Sequence, residues 1–169
     1  MTAELENEIK TPPTTYEDWL TCFDWLKSVS FFDNDTAMTI TKGSFVNRGH
    51  LSALFHQELA ETISAMLNRR ITRFLKELNI LISFNELLDI VPLFVKFRNE
   101  IRKCMFFTDF GFLDETIKTE LEQSTKTQMN TFWNDTVAFL QKQALAQSNA
   151  DLEDSLMLIR RMQLFTQVV

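Results

Sequence analysis

The side chains that could carry chemistry are few and scattered. His50 and His56 are the chain's two imidazoles. Six residues apart on a helix turning about 100° per residue, they fall on different faces. Neither follows a Glu by three positions, because Asn47 and Ala53 stand there, so the Glu-x-x-His pair of di-iron bundles is absent, as is HExxH. No metal centre or imidazole base is expected. Cys22 and Cys104 are isolated thiols in apolar-rich stretches with no CxxC spacing. They read as buried structural residues and not as nucleophiles. Gly43, Gly49 and Gly111 are the only glycines, which leaves no P-loop, no GxGxxG loop and no GxSxG elbow. The paired carboxylates Asp114-Glu115 and Glu153-Asp154 look like solvated first turns of helices. The sequence therefore predicts no catalytic residue, no metal and no cofactor.

Two basic clusters remain. Arg69, Arg70, Arg73 and Lys76 form one; Lys96, Arg98, Arg102 and Lys103 form the other. At helical spacing Arg69, Arg73 and Lys76 lie within about 60° of one another. They are expected to face solvent, and a short connection near Ser83 would bring the second cluster alongside. The site predicted on this basis is a contact surface of Arg69, Arg73, Lys76, Lys96, Arg98 and Arg102 for a protein partner with an acidic surface. Glu77 and Glu100 are near enough to neutralise part of it.

Charge distribution limits the alternatives. Net charge is −6, with two basic and eight acidic residues in 1–41, ten and six in 42–103, and five and nine in 104–169. A basic middle between acidic ends disfavours a general nucleic-acid binder but leaves a local basic face open. No apolar run approaches the roughly 20 residues needed to cross a bilayer, and residues 1–13 are polar and acidic rather than a secretory signal. A cytoplasmic protein with reduced thiols is the expectation.

The elements that must position these residues are helical. With three Gly and three Pro in 169 residues, turns are few, and an all-α fold follows. The longest pattern covers residues 50–82, with apolar side chains at Leu51, Leu54, Phe55, Leu59, Ile63, Met66, Leu67, Ile71, Phe74, Leu75 and Leu78, in steps of three and four. Several steps are of four, and each drifts by about 40°, so the stripe winds around the helix. Such a helix suits the centre of a bundle better than a two-stranded coiled coil. Leu67, Ile71 and Phe74 are predicted to be buried.

Residues 1–13 read as a flexible tail ending in Pro12-Pro13, and residues 14–169 as a single helical-bundle domain of about five helices. Thr14 with Glu17 has capping-box spacing. The first helix carries Tyr16, Trp19, Leu20, Phe23 and Leu26 on one face and ends near Ser28. Residues 33–49 read as an ordered loop, with a small hairpin as the alternative, and Asn47 or Gly49 falls near the cap of the long helix. Ser83 and Glu86 give a second capping box opening a third helix, which Pro92 should kink and Gly111 should close. A fourth helix takes residues 113–147, with the polar stretch 122–128 as its weakest-packed part, and a fifth begins at Asp151. Sixteen Phe fill the core; a Phe-lined carrier of an apolar ligand is the alternative to an interaction module, as is a nucleic-acid-binding regulator using the basic face.

Overall fold

The structure is a computed structural model describing residues 11–47, 50–147 and 150–167, with the side chains of residues 47, 147 and 162–167 outside the description. It is all-α, with six helices among the described residues, five of them longer than a turn and a half. They are α1 (Tyr16–Ser28), α2 (Lys42–Phe45), α3 (Ala53–Ser83), α4 (Ile90–Cys104), α5 (Glu115–Gln147) and α6 (Ala150–Gln167). Short 3-10 segments, Leu87–Asp89 and Met105–Asp109, flank α4. The chain divides into two units, Met1–Asn68 with Ile101–Thr125, and Arg69–Glu100 with Lys126–Val169. The division falls within α3, α4 and α5.

In the first unit, α1 is opened by Thr15 and not by Thr14. The Thr15 hydroxyl accepts the Asp18 N–H at 3.1 Å, while the Asp18 carboxylate accepts the N–H groups of Thr14 and Thr15 and the Thr14 hydroxyl. The box is shifted by one residue because Asp18 is short enough to reach back over one turn, whereas Glu17 extends to Lys42, 3.8 Å away. Those hydrogen bonds, from the Thr14 hydroxyl first, hold the Asp18 carboxyl below its ordinary pKa. At its other end α1 closes on Ser30, which takes φ 60°. The Ser30 N–H reaches the Lys27 carbonyl at 3.0 Å and the Phe31 N–H reaches the Leu26 carbonyl at 2.9 Å, the paired bonds of a Schellman motif.

Residues 35–41 form no strand. They are an extended strap held by side chains: the Tyr16 hydroxyl donates to the Ile40 carbonyl at 3.0 Å, the Trp19 indole N–H to Met38 Sδ at 3.2 Å, and Thr39 bonds Thr62 at 3.0 Å. The β-branched run lacks a neighbouring strand, so its alternation, with Thr36 and Ile40 buried, is used against α1. A minimal antiparallel pair does form one step later, Val46 with Leu51 and Asn47 with His50. Arg48 and Gly49 lie outside the described residues. The cap of α3 is Ser52, whose hydroxyl donates to the Ser44 carbonyl and accepts the Phe55 N–H at 3.0 Å. The helix therefore starts at Ala53 with Ser52 before it; Gly49 and the Asn47 side chain, expected near the cap, lie outside the described residues. Residues 1–10 of the expected tail also lie outside the described residues, and Pro13 is already buried.

The first core is aromatic. Trp19 meets Phe55 edge-on at 5.0 Å, Phe55 meets Phe45 at 5.3 Å, and Phe110 stacks on Phe112 at 5.3 Å. The second core joins Phe74, Phe94, Phe97, Phe132 and Trp133, with Phe94 and Trp133 centroids 4.2 Å apart. Leu140 and Ala144 of α5 and Leu152, Leu156 and Ile159 of α6 complete it. Within the stretch 122–128 α5 is unbroken and Thr125 is buried.

Ser83 ends α3 and does not open the next helix. Asn85 takes φ 58°, its N–H bonds the Ile82 carbonyl at 3.2 Å, and the Glu86 N–H bonds the Leu81 carbonyl at 2.8 Å. This second Schellman motif consumes the residues read as a capping box; Asn, the side chain after Gly best suited to the left-handed region, was its signal. Pro92 consequently stands in the first turn of α4, where its missing N–H costs little. A 3-10 turn precedes it, whose Leu87 carbonyl accepts the Ser155 hydroxyl of α6 at 3.4 Å. Further on, α4 gives way at Cys104 to 3-10 geometry, ahead of Gly111.

Candidate functional site

In the second unit, α3 and α4 run antiparallel, as the order of their contacts shows: Arg70 beside Glu100, Phe74 against Phe97 at 4.6 Å, Glu77 near Lys96 at 4.0 Å. A cleft between them is lined by these six residues with Arg73 and Leu93. It is built on Arg70, which the sequence groups with the surface cations but which is 4% exposed. Its Nε lies 3.7 Å from the Glu100 carboxylate, and its Nη1 donates to the Glu100 carbonyl at 3.0 Å. The reason is register. The buried row of α3 shifts from Phe55, Leu59, Ile63 and Leu67 to Met66, Arg70, Phe74 and Leu78. Arg70 occupies a core position, and Ile71, expected inside with Leu67 and Phe74, is half-buried.

The predicted contact residues distribute unevenly. Arg73, Lys76 and Lys96 are exposed; Arg69 and Arg98 are half-buried. Arg102 is exposed and belongs to the first unit. The outer face of α3 carries more than charge. Arg73, Lys76 and Ile80 share about 60° of its circumference, all exposed, and Phe84 follows just past the helix end at 72% exposure. Leu88, in the 3-10 turn, is 79% exposed. Ile80, Phe84 and Leu88 thus expose three large apolar side chains over the end of α3 and the turn that follows. The sequence signal for Ile80 and Phe84 was available, since both lie outside the buried row that ends at Leu78.

The remaining candidates have structural settings. His56 is half-buried, and its Nδ1 accepts the backbone N–H of Asp114 at 3.2 Å. Asp114 in turn caps α5, accepting the N–H groups of Thr116 and Ile117 at 3.0 and 3.2 Å. Burial pushes the His56 imidazole below its ordinary pKa, against the smaller upward pull of Asp114. His50 is exposed at the edge of the two-residue ladder. Cys22 and Cys104 are buried, and neither is in a disulfide. Among the described residues no three His, Cys, Asp or Glu side chains converge as metal ligands, and no helix is long and apolar enough to cross a membrane. The Phe side chains face one another, and the space among Trp19, Phe23, Phe32 and Leu59 is too small to admit a water molecule.

Comparison with protein-family models, characterised proteins and solved structures returns no match.

Proposed function

We propose that this chain is a non-enzymatic interaction module that binds a protein partner through the outer face of α3 and the adjoining cation of α4. The observation that carries the reading is the mixed stripe Arg73, Lys76, Ile80 and Phe84, in which cations and large apolar side chains are exposed side by side. Apolar anchors supply affinity at protein interfaces, and charges around them select a partner of opposite sign. A nucleic-acid surface would use cations without Phe84 and Leu88 beside them, and Glu77 and Glu100 in the neighbouring cleft weaken the field such a surface needs. The partner therefore offers carboxylates around an apolar depression. A cytoplasmic, reducing setting fits two buried thiols left unbridged.

The test is an affinity capture from the native cells with the wild-type chain and with Arg73→Glu/Lys76→Glu, alongside binding of a mixed-sequence DNA duplex. A protein retained by the wild type and lost by the double reversal, at unchanged melting temperature, supports the reading. Retention of that protein by the reversed variant, or loss of duplex binding alone, overturns it.

A further inference from the structure

The first unit carries a second, differently built surface. An open depression of about 420 Å³ lies where the end of α1 meets the end of α4. That is within the range of about 300–1,000 Å³ usual for ligand sites. Trp25, Val29, Phe31 and Phe106 line it, and Arg102 and Lys103 complete the lining. Trp25 and Phe106 are half-buried and Val29 is exposed, so the apolar surface is open to solvent. Both cations are exposed, and neither has a hydrogen-bond or carboxylate partner among the described residues. Their place in the last turn of α4 suits the helix dipole, which explains cations near the helix end but not an aromatic hollow beside them.

We propose that this depression receives a linear segment of a protein partner in which a large apolar side chain is flanked by carboxylates. The proposal rests on the protein-binding reading above and extends it to a second contact with its own chemistry. The apolar side chain enters against Trp25, Val29 and Phe106, and the carboxylates meet Arg102 and Lys103. Trp and Arg together at the centre of a concave contact are the residue types that dominate binding energy at protein interfaces. Charge complementarity fixes the sign of the occupant. Openness favours a peptide over a free amphiphile, because a lipid-like ligand needs a site that encloses about 70–90% of its surface, whereas an exposed hollow covers one or two side chains of a larger partner.

The experiment is a titration of the ¹⁵N-labelled full chain, read by the three Trp indole signals and the backbone amides. The probes are a capped hexapeptide with a Leu-Phe pair between two pairs of Glu, its counterpart with Lys in place of Glu, and laurate. The acidic peptide should move the Trp25 indole and the Val29 and Phe106 amides saturably. It should bind at least about tenfold more tightly than the Lys counterpart, leaving the Trp19 and Trp133 indoles in place. Arg102→Glu/Lys103→Glu should erase that preference; if the reversal disturbs the Trp19 or Trp133 signals, Arg102→Gln/Lys103→Gln reads the same loss of charge. Equal binding of the two peptides, or shifts that map elsewhere, would overturn the proposal. So would laurate moving Trp25 while the acidic peptide does not, which would give the hollow to a free anionic amphiphile. A silent titration together with partner loss in Arg73→Glu/Lys76→Glu removes this site and leaves the interaction module standing. Acid-selective peptide binding with partner capture insensitive to that reversal does the opposite.

Discussion

His56 and Asp114 are joined by a hydrogen bond whose direction fixes a protonation state: the imidazole Nδ1 accepts the Asp114 backbone N–H at 3.2 Å. Only a deprotonated Nδ1 accepts. Burial lowers the His56 pKa from 6.5, and the hydrogen bond requires the same neutral form. In the window below about 6.5 the unfolded chain then binds more protons than the folded one, so stability rises with pH there and falls as pH is lowered. The melting temperature should drop between pH 7.5 and pH 5.5, and His56→Gln should show a smaller drop over the same interval. A slope unchanged by the substitution would place the titration elsewhere.

Arg70 and Arg73 stand three residues apart on α3 with opposite fates, one buried against Glu100 and the other exposed. Arg70→Ala removes a packed side chain and the charge-assisted bond to the Glu100 carbonyl, and should cost about 2–3 kcal/mol by urea denaturation. Arg73→Ala should change stability by no more than about 0.5 kcal/mol. Equal losses would mean that the register assigned to α3 is wrong.

Phe74 lies at the centre of the second core, with Phe97 at 4.6 Å and Phe132 at 5.1 Å. Truncation to Ala should cost roughly 3–5 kcal/mol, because two aromatic faces lose their partner and the helices around them relax only partly. A loss below about 1 kcal/mol in denaturant would show that the site collapses to fill the space.

Ser30 and Asn85 end α1 and α3 in the left-handed region, at φ 60° and 58°. A Cβ in that region costs roughly 1 kcal/mol for Ser, less for Asn, whose side chain tolerates it. Ser30→Gly should therefore raise the denaturation midpoint more than Asn85→Gly does, and Ser30→Val should lower it. A neutral Ser30→Gly would mean that added freedom in the unfolded chain offsets the relief.

These two residues also mark where the sequence ceased to be legible. The helical periods located the longer helices, the winding stripe of α3 and the aromatic cores, because burial of an apolar face is written in spacing. Helix ends are decided by single hydrogen bonds, so Thr15 could displace Thr14, Ser52 could take the start of α3, and Ser83-Phe84-Asn85-Glu86 could close a helix where it reads as opening one. Pro92 depends on the same detail, because its effect is set by which turn of the helix it occupies. At the candidate site, exposed Arg73, Lys76 and Lys96 follow from their angles on the helix, but Arg70 required knowing that the buried row changes register near Met66. The hollow of Trp25, Arg102 and Phe106 joins segments far apart in the chain, and no local pattern announces it.

Phe84 and Leu88, at 72% and 79%, are with Leu145, at 75%, the three most exposed large apolar side chains of the chain's described part. Neither contributes to the core, since the buried residues around them are Leu78, Leu87 and Ile90. Stability alone gives no reason for them, and replacing both with Ser should leave the melting temperature within the range of ordinary surface changes, about ±0.5 kcal/mol in free energy. If they anchor a partner beside Arg73 and Lys76, the same double substitution should weaken partner binding by at least about tenfold. The loss should persist at high salt, whereas the Arg73→Glu/Lys76→Glu loss should shrink as salt screens the wild-type attraction. Calorimetric titration of the captured partner at two ionic strengths separates the two contributions. Full affinity in the Phe84→Ser/Leu88→Ser variant would leave the charges alone on this face and remove the apolar half of the proposed contact.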